Sequence, residues 1–279
     1  MKFAIITTSY KRPELLLKNF ESVCNQSHVN LTHIIINDSP DFDYAIFENN
    51  SEIKKAIKNQ KLIYIKNEIN KGSNFSKNMA LKYIDDNLKD IGYITFLDDD
   101  DYFHKNSLQE INLFLENKKE KEINWLVTNR VLLKNESLNI IKKLTNNKTH
   151  KNKLSYFWDY LLFKKFTGDA THFIKKDIVV RIKFSEFIKN GEEWFYFLKV
   201  AKLAGRFIYE DQNTTYTEGY LEGGLTNDLK SKYNSNTILF WKEIFNFKNN
   251  ENVKQNLNFK VLFYMLLRSA FCIFKRVAK

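Results

Sequence analysis

A short apolar stretch, residues 93–97 (Tyr-Ile-Thr-Phe-Leu), runs without a break into four aspartates, Asp98, Asp99, Asp100 and Asp101. The stretch predicts a buried strand. The carboxylates after it repel one another unless a cation or several hydrogen-bond donors take up their charge. Carboxylate oxygens are hard ligands suited to Mg²⁺ or Mn²⁺, and Mg²⁺ is commonly held by one or two carboxylates together with substrate phosphates. In open α/β sheets ligands bind beyond the carboxyl ends of the strands, which is where this run stands. A solvated acidic loop is the plainer reading of an isolated Asp-rich run. A strand before it and a helix start after it favour a metal–diphosphate site.

The preceding residues repeat one rhythm. Apolar strands are predicted over 3–7, 31–36 and 62–65, and helices over 13–25, 44–57 and 73–88, with Pro13 suited to open the first. A further helix is predicted over 107–115. Strands alternating with helices, joined by connections too long for hairpins, predict a parallel sheet wound from βαβ units. Beyond residue 122 the pattern changes. Strands are expected over 125–133, 138–144, 171–173 and 206–209, helices over 156–163 and 194–204, and helical segments from 228 onward.

With 43% hydrophobic and 28% charged residues in 279, the chain is globular and long enough for a sizeable core. Two prolines and eight glycines exclude a collagen-like chain or a long flexible linker. Cys24 and Cys272 match no metal or disulfide spacing and are expected to be buried thiols of a reducing compartment. The amino-terminal apolar run is too short for a signal peptide, and no stretch reaches the ~18 apolar residues needed to span a bilayer. A cytoplasmic protein is expected. The net charge of +11 favours anionic partners. The basic residues are scattered, however, and no nucleic-acid-binding motif appears, so nucleic acid is not an expected partner.

Taken in order, the motifs resemble the inverting GT-A glycosyltransferases of family 2. Thr8-Ser9-Tyr10-Lys11-Arg12-Pro13 is similar to the family's P-T-Y-N-R-P, with Thr8 for the first proline. Asn37-Asp38-Ser39 resembles D-D-S, and the residues from Asn70-Lys71-Gly72 to Ser76-Lys77-Asn78 resemble N-x-G-x-x-x-A-R-N. The run from Leu97 to the aspartates resembles L-D-x-D-D, and Gly191-Glu192-Glu193-Trp194 resembles G-E-D-W. The resemblance covers residues 1–226. It implies a GT-A α/β fold with a mostly parallel wound sheet, whose nucleotide-binding half is 1–122 and acceptor half 123–226. Residues 227–279 would form a carboxyl-terminal helical extension.

The resemblance also implies roles. Thr8, Ser9, Tyr10, Arg12, Asp38, Lys77, Asn78, Asp98 and Asp99 would bind the nucleotide sugar, with Asp38 accepting from a uracil-like imide. Lys77 stands where the family usually has Arg and gives up the bidentate fork. Asp98 and Asp100 would hold Mn²⁺ or Mg²⁺. Where the family often has a metal-binding His, this chain has Glu222, with Glu218 as the alternative, and a carboxylate can replace imidazole on such ions. Glu193, or Glu192 beside it, would be the catalytic base; two acids that simply favour a helix amino terminus are the alternative.

The implied reaction is metal-dependent, inverting transfer from a nucleotide sugar, UDP-linked, to a saccharide or lipid-linked acceptor in bacterial surface-glycan synthesis. A nucleotidyl- or phosphotransferase using the same aspartates and a basic nucleic-acid-binding protein are the rival readings. Residues 258–279 combine apolar residues with Arg268, Lys275, Arg276 and Lys279. That pattern suits an interfacial helix on anionic lipid at the inner face of the cytoplasmic membrane, with core packing or homodimer formation as the alternatives.

Overall fold

The computed structural model describes residues 1–118, 123–134, 137–144, 154–156, 172–186, 192–204 and 206–218. Four parallel strands come first: β1 (Phe3–Ser9), β2 (Leu31–Asn37), β3 (Leu62–Lys66) and β4 (Tyr93–Phe96). They lie in the order β3-β2-β1-β4. Helices α1 (Pro13–Cys24), α2 (Ala45–Glu48), α3 (Ser51–Lys58) and α4 (Ser73–Asn87) connect them. After β4 come the short β5 (Asp101–Phe103), α5 (Ser107–Asn117), β6 (Trp125–Lys134), β7 (Ser137–Leu144) and β8 (Leu154–Tyr156). The last described elements are β9 (His172–Lys175), α6 (Lys176–Val179), α7 (Glu192–Ala204) and β10 (Arg206–Glu218). The sheet continues from β4 through β9, β6 and β10 to β5, with β9 antiparallel to both neighbours and β6 parallel to β10.

Period-2 alternation splits the strand residues between two helical layers. Ala4, Ile6, Ile34, Ile36, Ile94 and Phe96 pack with Ala80, Leu81 and Ile84 of α4 and with Tyr196, Phe197 and Val200 of α7. Phe3, Ile5 and Tyr93 face the other way, toward Val23, Leu108, Ile111 and Leu115 of α1 and α5, while Ile35 meets Leu16, Phe20, Phe47 and Ile53. Among the described residues no helix is long and apolar enough to cross a membrane.

The structure departs from the sequence expectations where side chains compete with regular pairing. The single helix expected over 44–57 is two, because Asn50 is extended (φ −64°, ψ 131°) and its side chain accepts from the backbone N–H groups of Glu52 and Ile53. That N-cap starts a new helix. The strand expected over 206–209 continues to Glu218, its polar residues paired with β6 and β5 across two register shifts. Cys24 is exposed, not buried, because it falls one position beyond the stripe of Leu16, Phe20 and Val23. Of the helix expected over 156–163 only Tyr156 is described, and it ends β8. The segments from 219 onward, and with them the proposed extension and its basic tail, lie outside the described residues.

Two histidines, His33 and His172, are fully buried in these layers. His33 Nε2 lies 2.9 Å from Thr7 Oγ1, and His172 Nδ1 accepts from Trp125 Nε1 at 3.0 Å. Among the described residues the other nitrogen of each ring has no hydrogen-bond partner. Burial lowers both to about 3, with Arg130 adding to the effect on His172. Each ring is therefore neutral in the fold and takes up a proton only on unfolding, so its stabilisation is complete above 6.5 and is lost as pH falls toward 3. Each ring is expected to take about 2 kcal/mol from stability between pH 6.5 and 5, read in urea titrations as the change in the difference between the parent and the His33→Gln or His172→Gln variant, since the raised Asp99 acts in the opposite sense over this range. A parent–variant difference that is equal at pH 7 and 5 would mean that the ring is hydrated or charged in the fold.

Candidate active site

The parallel strands place their carboxyl ends along one edge. β1 outruns β4 there: Ile6 pairs with Phe96, while Thr7, Thr8 and Ser9 continue beside β2. The chain leaves β4 through Leu97, whose N–H donates to Ile6 O at 2.9 Å, and turns so that Asp101 N donates to Asp98 O at 3.0 Å. Asp101 then opens β5, so the acidic run is a tight turn between two strands rather than a free loop.

Asn19 of α1, fully buried, clips this turn. Its Nδ2 donates to Asp98 O at 2.9 Å and Asp101 O at 2.8 Å, while its Oδ1 accepts from Thr7 Oγ1 at 3.3 Å. Asn19 is absent from the sequence-predicted site. The signal was available, since it is a lone amide on the stripe formed by Leu16, Phe20 and Val23, and buried amides need partners.

The turn concentrates charge. Arg12 Nη1 lies 3.3 Å from Asp99 Oδ1 and 3.1 Å from Asp100 Oδ2, and Lys77, 4% exposed, places Nζ 3.6 Å from Asp98 Oδ1. Burial, then the Asp100 charge, pushes Asp99 up to about 7 against the pull of Arg12 and a hydrogen bond from Ser9. Burial and Asp98 likewise raise Asp100. Arg12 and Lys77 thus pair with three of the four carboxylates. Hard oxygen donors crowded together, with Asp99 and Asp100 raised by burial and by neighbouring carboxylates, fit a divalent cation. Among the described residues no three His, Cys, Asp or Glu side chains form a ready-made cage. A cation would therefore need further oxygens, such as those of a diphosphate.

Beside this turn the β1, β2 and β3 ends are locked together. Thr8 Oγ1 lies 2.9 Å from Ser73 Oγ, and Ser9 Oγ 2.9 Å from Tyr44 OH, while Tyr10 is exposed with Lys11 Nζ over its ring. Asp38 is buried. Its Oδ1 accepts from Asn67 Nδ2 at 2.6 Å and Lys71 N at 2.9 Å, and its Oδ2 from Gly72 N at 2.7 Å. Gly72 has φ +87°, which only glycine adopts without strain, and this conformation presents its N–H to the carboxylate. Asp38 thus holds the loop before α4 in place and has capacity for one more donor at Oδ2.

On the opposite face of the edge, Asn78 donates from Nδ2 to Phe184 O and Glu186 Oε1, both at 3.0 Å, and accepts from Phe184 N at 2.8 Å. Its amide is spent on that segment, partners the sequence reading of Asn78 as a nucleotide contact did not include. Helix α7 opens at the same edge as the aspartates, for Tyr196 packs edge-on against Phe96 and Ala204 O accepts from Asn124 at the far edge. Glu192 begins α7 and Glu193, half-buried, follows it. His104 is exposed and its carbonyl accepts from Gln26 Nε2 at the start of α5. Glu222 lies outside the described residues.

One edge therefore carries two cations, an acidic turn with raised carboxyls, three polar strand ends and a helix opening with two acids. A phosphorylated ligand suits such an edge. The profile of Glycosyl transferase family 2 matches residues 4–165. An uncharacterized glycosyltransferase of Methanocaldococcus jannaschii is 26% identical over 97% of this chain and 88% of that protein. Among solved structures, S. aureus TarS 1-349 in complex with UDP-GlcNAc superposes with a TM-score of 0.59 at 15% identity, covering 81% of this chain and 61% of that one. Mannosyltransferase PcManGT from Pyrobaculum calidifontis, in complex with GDP-Man and Mn²⁺, gives 0.58 at 12% identity, covering 99% and 75%. The chain spans about three fifths of the length of TarS 1-349. These likenesses establish the GT-A fold, and with the profile they place the chain: it belongs to glycosyl transferase family 2 and is a glycosyltransferase.

Proposed function

We propose that the chain transfers a sugar from a UDP-linked donor to a saccharide or lipid-linked acceptor, with inversion, at the cytoplasmic face of a membrane where a bacterial surface glycan is built. The acidic turn on the carboxyl edge is the observation that carries this reading: Asp98, Asp99 and Asp100 are held beside Arg12 and Lys77, and burial and neighbouring carboxylates raise Asp99 and Asp100. Thr8, Ser9 and Tyr10 would line the base, and the remaining capacity of Asp38 Oδ2 suits one imide N–H. Arg12 and Lys77 supply positive charge for the diphosphate.

Asp98 and Asp100, joined by Glu222, would hold Mn²⁺ or Mg²⁺, which when bound neutralises charge developing on the departing nucleoside diphosphate. Glu193, or Glu192, would take the proton from an acceptor hydroxyl. That oxygen then bonds the anomeric carbon from the face opposite the phosphate, the bond from carbon to phosphate oxygen breaks, and the nucleoside diphosphate leaves with its electron pair. The neighbours seen with UDP-GlcNAc, and with GDP-Man and Mn²⁺, support a nucleotide-sugar donor and a divalent cation.

The test is a thermal-shift panel of nucleotide sugars with and without Mn²⁺, followed by transfer to saccharides and to lipid-linked saccharides in anionic vesicles. A Tm rise with a UDP-sugar that requires Mn²⁺, and faster transfer on anionic vesicles through residues 258–279, is expected. A GDP- or dTDP-sugar giving the larger shift would overturn the donor assignment. Indifference to every nucleotide sugar would overturn the site.

A further inference from the structure

Helix α4 does more than wall the nucleotide side of the cleft. Asn78 bonds both backbone groups of Phe184, as a neighbouring strand would, and also Glu186 Oε1, while Asn74 Nδ2 donates to Ser185 O at 2.7 Å. These bonds hold the segment that leads into α7 from more than a hundred residues away. The Phe184 ring then stacks flat on Tyr196 of α7, 3.7 Å between centroids and 2° between planes. Phe96 packs edge-on against both rings, at 5.1 Å and 5.7 Å. Lys77 Nζ lies 5.2 Å from the Phe184 ring and 3.6 Å from Asp98 Oδ1.

One connected set of contacts therefore joins the acidic turn, two residues past Phe96, to Tyr196, one helical turn past Glu193. We propose that Asn78 is a positioning residue, not a nucleotide contact. By fixing Phe184 against Tyr196 it sets the opening turn of α7, and with it Glu193, relative to the donor end of the cleft. The inference rests on the reading of Glu193 as the base. It concerns turnover, because a displacement of about 1 Å at a reacting group can cost roughly 10²-fold while leaving donor contacts intact.

Asn78→Ala, Asn78→Asp and Tyr196→Leu are compared with the parent and with Glu193→Gln in steady-state transfer, in UDP binding by calorimetry, and in amide exchange of residues 184–186 and 192–197. Asn78→Asp keeps the acceptor for Phe184 N and guards against a simple folding failure of the alanine variant. The expected result is a kcat lower by at least about tenfold in Asn78→Ala and Tyr196→Leu, with UDP affinity within about twofold and faster exchange in both segments. Asn78→Asp should fall between them and the parent. If UDP affinity falls in step with kcat, Asn78 is a nucleotide contact and the proposal is overturned. Parent-like turnover in Asn78→Ala alongside an inactive Glu193→Gln also overturns it, leaving the base reading standing. A fully active Glu193→Gln removes the base reading itself; a kcat loss in Asn78→Ala would then still mark the clamp as a positioning device, for a base elsewhere on α7.

Discussion

Asp100→Ala is expected to abolish transfer and to remove metal-dependent UDP binding while leaving the fold intact. The fold should survive because the carboxylate is a liability in the free protein: burial and Asp98 raise it, against the pull of Arg12 and a backbone N–H. Removing it relieves repulsion within the turn, whose backbone stays clipped by Asn19. Activity should not survive. A divalent cation at such a site contributes several kcal/mol of charge stabilisation, so a loss of at least about 10²- to 10³-fold is expected. Calorimetry with UDP, with and without Mn²⁺, checks the binding half, and assays in excess EDTA check the catalytic half. Undiminished turnover in EDTA would remove the cation from the mechanism and leave Arg12 and Lys77 as the electrostatic partners of the leaving group.

Glu193→Gln carries the second large effect. The substitution keeps the side chain's shape and its place in the first turn of α7 but cannot accept a proton. Turnover is expected to fall by roughly 10²-fold or more, with UDP affinity unchanged. Glu192→Gln serves as the control. If that variant is the inactive one, the two glutamates exchange roles. If both are active, the two acids only complement the helix dipole and the base lies elsewhere.

Much of this site was legible because its chemistry is local. The apolar alternation of residues 3–9, 31–37 and 93–96 depends on each strand's own residues, and Pro13 pre-sets the first turn of α1 wherever that helix lies. Four adjacent aspartates are a charge problem in any fold, so the demand for a cation or for donors could be read from residues 98–101 directly. The βαβ order then required those residues, Thr8, Ser9 and Asp38 to share an edge, because parallel strands wound in one hand leave no other arrangement.

Tertiary structure alone decided who answers that demand. Arg12, Asn67 and Asn78 each sit among ordinary polar residues of a helix or loop, and Asn19, though marked as a lone amide on an apolar stripe, gives no sign of which groups it meets. Their partners are separated from them by 87, 29, 106 and 79 residues, distances over which no periodicity carries information. The same holds for β10, whose residues from Glu210 to Glu218 are too polar to announce a strand until β6 and β5 satisfy their backbone groups. Asn50 broke an expected helix because a side-chain oxygen outcompeted the backbone for two N–H groups. Sequence alone determined the residues that carry charge and the edge that collects them. Which amides and cations hold that charge in place depended on packing, since a hydrogen-bond partner is chosen by proximity in the folded chain and not by spacing along it.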